Sequence, residues 1–369
     1  MHEGVNLLFD YLTVLVLAFL FVYALTPFVM KLACVLGFTD KPAARKIHTT
    51  ATPLMGGLAV FAGFLFFTFF GVYVSAIRAF DLALWGYLAG AAMVVLLGLY
   101  DDRFGMGPAV KMTGQLIACA LFLGSHWVCY PDFFALFGPI WLCVPLLLLW
   151  MVGLMNALNF LDNMDGIISG MAGILGLGFY TISFLSKTPA LAGQSQFISL
   201  LSLTFAGAIL GFLPHNFRPA RIFMGDAGSM FVGYFLSSMG ILLGRLAVTS
   251  RSSRFYFLLP VLLLSYAIFD ICLVSYTRKR DGRRVSQGGK DHTTHRIGTA
   301  MRSVTITALL VYLINAIIVI TTILVFRANS VLLLILLTAI FAAMFLVFGH
   351  KLDQIPIVVP QNQLKEPKK

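Results

Sequence analysis

An all-α chain that crosses a membrane about eleven times is the fold class this sequence predicts, and three observations predict it. Of the 369 residues, 59% are hydrophobic and only 11% are charged, against about a quarter charged in a soluble domain. Apolar runs close to the roughly 20 residues that a spanning helix needs recur along the whole chain. Basic residues alternate with those runs, so that with eleven spans 20 of the 26 lysines and arginines fall in loops on one side. By the positive-inside rule that side is cytoplasmic, which places the N-terminus outside and the C-terminus in the cytoplasm.

The apolar runs place spans at roughly 7–30, 54–74, 83–100, 112–129, 139–158, 167–185, 197–213, 228–248, 255–277, 303–326 and 330–349. The first is read as a true span and not a cleaved signal, because its flank carries Glu3 and Asp10 and no basic residue. Residues 1–350 form one membrane-embedded domain with cytoplasmic loops at 31–53, 101–111, 156–166, 214–228 and 278–302; residues 351–369 read as a disordered cytoplasmic tail. The five cysteines lie in or beside apolar runs without paired spacing, which suits packing better than a zinc site or a disulfide framework. A net charge of +11 reflects which loops face the cytoplasm, and no nucleic-acid partner is implied.

Every unusual polar cluster falls on the cytoplasmic side. The first loop, DKPAARKIHTTATPLMGG, sets Arg45, Lys46 and His48 beside the membrane surface. Asp101 and Asp102 close the third span, where a helix dipole favours cations. Something must compensate them, and Lys111 follows shortly. The stretch NALNFLDNMDG gathers Asn159, Asp162, Asn163 and Asp165 where the chain leaves lipid, and carboxylates there are costly enough to imply function. Gly166 and Gly170 after it read as helix packing.

The fourth loop, HNFRPARIFMGDAGS, sets Asp226 between Gly225 and Gly228 at a helix start. Such glycines free backbone N–H groups to face an anion, and one carboxylate beside phosphates suits Mg²⁺. Phe223 is placed to stack on a base. In GGKDHTTHRIG, His292 and His295 sit beside Lys290 and Arg296 with no cysteine to complete a zinc site, so the pair donates hydrogen bonds to a phosphate or sugar. Asp270, deep in the ninth span, reads equally as a structural partner or a site residue. Together these clusters describe a diphosphate-handling site beside lipid.

Five pieces of text in this order carry a resemblance: D-x-P-x-x-R-K-x-H with P-x-x-GG, then DD, then N-x-x-N-x-x-D-x-x-DG, then F-M-G-D-x-G-S, then DHTTHR. From residue 40 to about 300 the chain resembles the polyprenyl-phosphate N-acetylhexosamine-1-phosphate transferases, glycosyltransferase family 4. The resemblance implies transfer of a sugar 1-phosphate from a UDP-sugar to undecaprenyl phosphate, releasing UMP, at the cytoplasmic face of a bacterial inner membrane. It implies Mg²⁺, with Mn²⁺ able to substitute, held by Asp226 with Asn159 as second ligand. Asp101 and Asp102 would line the position of attack and act as the catalytic carboxylates. Asp162, Asp165, Asn216 and Phe223 would bind the nucleotide side. Arg45, Lys46, His48, Lys111, His292, His295 and Arg296 would hold phosphates and sugar. Membrane lipid surrounds such an enzyme, and the family includes homodimers.

Two departures from the family pattern matter. Asn163 stands where a glycine is common, and Thr294 stands where a middle histidine is often seen. The second argues for a UDP-GlcNAc-using branch over the one using UDP-MurNAc-pentapeptide. A secondary transporter is the rival from another class, but its site would lie at mid-membrane in repeated halves, and no repeat is visible here.

Overall fold

The computed structural model describes residues 2–40, 52–74, 81–135, 138–186, 191–284 and 289–356, with side chains from residue 11 onward. Thirteen α-helices run through them: α1 (His2–Leu36), α2 (Gly56–Val74), α3 (Leu82–Phe104), α4 (Pro108–Cys129), α5 (Ile140–Leu161), α6 (Ile167–Leu185), α7 (Ala192–Asn216), α8 (Gly225–Arg251), α9 (Leu258–Leu263), α10 (Ser265–Arg280), α11 (Thr293–Met301), α12 (Val304–Ala328) and α13 (Val331–Asp353). Among the described residues, ten helices are long and apolar enough to cross a membrane. The α9–α10 pair makes an eleventh if counted as one span. The protein is an all-helical, polytopic membrane protein.

Helix α8 is the axis of the bundle and α13 lies at its rim: the most apolar window of α8 is 94% buried, that of α13 only 6%. Small residues bring neighbours onto α8. A Cβ on Gly57 of α2 would stand 2.2 Å from the backbone nitrogen of Gly228, and one on Gly98 of α3 would stand 2.3 Å from the Cα of Ala227. Backbones can approach this closely only where side chains are absent. Higher up, Phe205 of α7 stacks on Phe235 of α8 with ring centroids 3.7 Å apart. At the rim large apolar side chains face outward, Leu332 and Leu346 each 76% exposed. Water would not tolerate so continuous an apolar surface, and lipid does.

Ten of the eleven expected spans are single helices, most of them longer than the apolar runs alone suggest; the ninth does not stay straight. The segments Arg254–Leu263 and Ser265–Arg280 meet at 72° around Leu264. No glycine or proline marks Leu264 itself, so the apolar run gives no warning of the bend. Residues along α10 therefore add little depth along the axis of α9, and Asp270 is not where a straight span would put it.

Several loops are also shorter than the sequence suggests. Asp101 and Asp102 belong to the last turns of α3, Asn216 ends α7, and α11 is a helix inside the 278–302 stretch. The tail begins later than expected, since α13 runs through Asp353; residues 357–369 lie outside the described residues. A two-residue antiparallel ribbon, β1 (Thr39–Asp40) with β2 (Thr52–Pro53), closes the first loop. Its neighbour Phe223 donates its N–H to Pro53 at 2.8 Å, and Gly56 and Gly57 donate to the carbonyls of Phe223 and Met224 at 3.0 and 2.8 Å. The P-x-x-GG and F-M-G-D texts are thus two sides of one interlocked turn.

Candidate active site

The ends of α3, α5 and α7, the start of α8 and the start of α11 surround a cavity of about 290 Å³. Asp40, Asp102, Asp162, Asp165 and Asp226 line it, with Asn159, Asn163, Asn216, Phe223, Ser229, Lys290 and His295. Five acidic side chains and one lysine line it, and Lys111 and Arg218 pair with two of the five, Asp226 and Asp165.

Asp226 stands in the first turn of α8, where the helix field favours a carboxylate. Its Oδ1 accepts from Asn159 Nδ2 at 2.9 Å, and its Oδ2 accepts a short hydrogen bond from Lys111 Nζ. Lys111 also bridges to Asp101 Oδ2 at 2.9 Å and lies 3.4 Å from Asn159 Oδ1. Asn159 further donates to Ser229 Oγ at 2.8 Å. Four of the expected residues therefore form one cluster centred on the lysine. Ser229 joins it; it lay in the quoted F-M-G-D-x-G-S text, one turn beyond Gly225, and was the signal for its own role.

Asp102 has a different place. Its Oδ1 and Oδ2 accept the backbone N–H groups of Asp226 at 2.9 Å and Ala227 at 3.2 Å. The N–H groups expected to face a substrate anion are occupied by the chain's own carboxylate. Asp102 is thus the cap of α8, which also answers how two aspartates persist at the wrong end of α3: one pairs with Lys111 and the other with a helix N-terminus.

Asp165 and Asn216 hold the segment before Phe223. Asp165 is buried and accepts from the N–H of Ala220 at 3.1 Å and from Arg218 at 3.3 Å. Asn216 accepts from Ser169 Oγ at 2.7 Å and donates to the carbonyl of Ile222 at 3.0 Å. Both line the cavity, yet their polar atoms set loop shape, so Phe223 is the group they present. Gly170 does pack as expected: a Cβ there would meet the Tyr312 ring at 2.1 Å.

Asp162 follows the last residue of α5 and faces the cavity. Its enclosure, and then the charges of Asp226 and Asp165, push its carboxyl up from 3.8 to about 7. A raised carboxyl favours the folded state when protonated, so this contribution is full below about pH 4 and is lost as pH rises through about 7. In EDTA, Asp162→Asn is expected to match the parent's thermal midpoint near pH 4 and exceed it at pH 8, as read by thermal unfolding. Equal midpoints at both values would show that the carboxyl is unstrained.

The histidine stretch divides in two. His295 lines the cavity, and its imidazole is lowered to about 4 by burial and by the nearby His292 and Lys290, so it is neutral at physiological pH. His292 instead is 2% exposed, with Nδ1 2.7 Å from Asp270 Oδ2. Asp270 also accepts from the N–H of Thr293 at 2.8 Å and its hydroxyl at 2.6 Å, capping α11. Its role is structural. Arg296 does not reach the cavity either: it donates to the carbonyls of Asp291 and Leu352, each at 3.0 Å, and so ties α11 to the end of α13. Arg278 forks onto Asp291 at 2.9 and 2.6 Å with both side chains 1% exposed, and Arg283 adds a bond at 2.8 Å. These arginines hold Asp291 at about 2 despite its burial. Much of the basic charge of this loop is therefore spent inside the fold. Lys290 reaches the cavity and was read only as a neighbour of the histidines. Arg45, Lys46 and His48 lie outside the described residues.

A divalent cation has a plausible set of donors here. Among the described residues no three His, Cys, Asp or Glu side chains converge as ligands. The Asp226 carboxylate and the Asn159 amide oxygen are hard oxygen donors of the kind Mg²⁺ takes, one or two per ion with water and substrate phosphates, and here both approach the Lys111 ammonium. This oxygen-only donor type is the kind Mg²⁺ uses and lacks the Cys and His ligands typical of zinc.

Comparison with known proteins agrees with this geometry. The family model described as Glycosyl transferase family 4 matches residues 84–244, which contain Asp101, Asp102, Asp162, Asp165 and Asp226. The probable undecaprenyl-phosphate N-acetylglucosaminyl 1-phosphate transferase of Bacillus subtilis is 33% identical over 81% of this chain and 80% of its own length. The decaprenyl-phosphate N-acetylglucosaminephosphotransferase of Mycobacterium tuberculosis is 32% identical over 79% and 76%. The phospho-N-acetylmuramoyl-pentapeptide-transferase of Latilactobacillus sakei is 31% identical, but over only 57% of this chain and 68% of its own. The chain belongs to glycosyl transferase family 4, within the branch that holds the Bacillus subtilis and Mycobacterium tuberculosis enzymes.

Proposed function

We propose that the protein transfers N-acetylglucosamine 1-phosphate from UDP-GlcNAc to undecaprenyl phosphate, releasing UMP, at the cytoplasmic face of a bacterial inner membrane. The observation that carries the reading is the cluster of Asp226, Asn159, Lys111 and Asp101 at one end of an apolar bundle. A lipid-borne phosphate can reach that end without leaving the bilayer. The loops at this end carry most of the basic residues, which supports the cytoplasmic orientation.

The attacking group is an oxygen of the lipid phosphate. It bonds to the sugar-linked phosphorus of the UDP-sugar, the diphosphate P–O bond breaks, and UMP leaves with the electron pair. A phosphomonoester has a second pKa near 6, so at neutral pH the nucleophile is already mostly a dianion and a general base adds little. The main task is to gather anions in a cavity lined by acidic side chains, which positioning and charge neutralisation accomplish in phosphoryl transfers generally. Mg²⁺ held by Asp226 and Asn159 would neutralise the diphosphate. Lys111 would place a positive charge beside the attacking phosphate, Phe223 would offer a face to the uracil, and neutral His295 would bond a sugar hydroxyl or amide. Asp101 would orient Lys111.

The test is a product assay on purified protein in lipid, offered UDP-GlcNAc, UDP-GalNAc and UDP-MurNAc-pentapeptide in competition. The expected result is UMP release that requires undecaprenyl phosphate, stops in EDTA and returns with Mg²⁺ or Mn²⁺, with a GlcNAc-diphospholipid as the product by mass spectrometry. UMP release without lipid phosphate, or the pentapeptide product alone, would overturn it.

A further inference from the structure

Asn163 and Thr294 come from stretches 131 positions apart, yet Thr294 Oγ1 donates to Asn163 Oδ1 at 2.7 Å. The other end of the Asn163 amide donates to the carbonyl of Phe160 at 2.9 Å. With each end of the amide making one such bond, Asn163 lines the cavity as a strut between the two stretches. Thr294 is fully buried, one residue before His295.

Helix α11 is otherwise tied to elements behind the cavity. Asp270 of α10 caps its start, and Arg296 pins it to the end of α13. Phe160 beside His292 and Met164 beside Gly298 also bring α11 to the stretch around the end of α5, through ring and van der Waals contacts. The Thr294–Asn163 hydrogen bond spans the same gap, and the next residue is His295, which lines the cavity together with Asp162. A glycine at 163 could not make the bond, since it has no side chain. The hydroxyl of Thr294 is short enough to make it without entering the cavity.

We propose that Asn163 and Thr294 form a latch that positions His295, and through it the sugar of the UDP-sugar donor, making them specificity-determining positions for that donor. The sugar assignment rests on the proposed transferase reading; the positioning of His295 does not.

Two readouts keep these apart. The first uses no substrate: diethyl pyrocarbonate labelling at pH 7, with the site of modification read by peptide fragmentation. Thr294→Val, which keeps shape and removes the hydroxyl, is expected to speed labelling of His295 about fivefold, while Thr294→Ser keeps the parent rate. The buried His292, held by Asp270, serves as the internal control and stays unlabelled in all three. The second readout is steady-state UMP release. A hydrogen bond of this kind is worth enough that Thr294→Val should raise the KM for UDP-GlcNAc about fivefold to tenfold. The KM for undecaprenyl phosphate and kcat should stay within about twofold. Asn163→Ala should act alike, and the double variant should be no worse than either single one, as for two ends of a single contact. Unchanged His295 labelling in Thr294→Val, or a serine variant no better than valine, would overturn the latch. Faster labelling with no change in donor KM would overturn the sugar assignment. A parent protein that releases no UMP would sink the transferase reading while the labelling result still decides the latch.

Discussion

Replacing Asp226 with alanine is expected to lower UMP release about a thousandfold or more, the scale seen when a charged group that organises a transition state is removed. Two partners converge on this carboxylate, Asn159 on one oxygen and Lys111 on the other. Without it Asn159 keeps Ser229 but loses its carboxylate partner, Lys111 is left to Asp101, and the acidic group in the first turn of α8 is gone. The fold should survive, because α8 is capped by Asp102 through backbone groups that the alanine retains. Asp226→Asn keeps the shape and loses the charge, so it should be nearly as inactive. Thermal midpoints close to the parent's, together with lost activity, would place the effect in the chemistry. Full Mg²⁺-dependent turnover by Asp226→Ala would remove Asp226 from the centre of the site.

The neighbouring carboxylates look alike in sequence, and the fold sorts them by what each oxygen meets. Asp165, Asp270 and Asp291 bind backbone groups, hydroxyls or arginines of their own chain. Asp162 and Asp226 face the cavity. The sorting explains how much could be read in advance. Spans were legible because lipid demands long apolar runs, and a run of that kind is a local property. The cluster of Asp226, Asn159 and Lys111 was legible because hard oxygens and a lysine at one membrane face suit only a few tasks. Long-range capping was not. Asp102 meets an N–H group 124 residues away, and nothing in either stretch alone reports that meeting. The same holds for Arg296, which shares a motif with His295 but points across α11 to the end of α13. The bend at Leu264 was hidden for another reason: it arises from packing, without a glycine or proline at the break.

Asp102 supplies the second large effect, and its variants separate capping from base catalysis. Asp102→Ala leaves the N–H groups of Asp226 and Ala227 without an acceptor at a buried helix start. Leaving those buried donors unsatisfied should cost about 1–3 kcal/mol of stability. The first turn of α8 would then shift, and Asp226 moves with it. Misplacing a group by about an ångström can cost about a hundredfold in rate, so activity should fall on that scale through the displaced Asp226 alone. The half-saturating Mg²⁺ concentration should rise as well, since the ligand it disturbs is Asp226. Asp102→Asn keeps one acceptor oxygen but turns an amide N–H₂ toward a backbone donor, so it should recover only part of the stability and part of the rate. A general base would behave differently. Its removal would lower kcat alone, leave the thermal midpoint and the Mg²⁺ dependence untouched, and erase the acidic limb of the pH–rate profile. Thermal unfolding, Mg²⁺ titration and the pH profile of the two variants therefore decide between the roles, and the two short bonds from the α8 backbone argue for the cap.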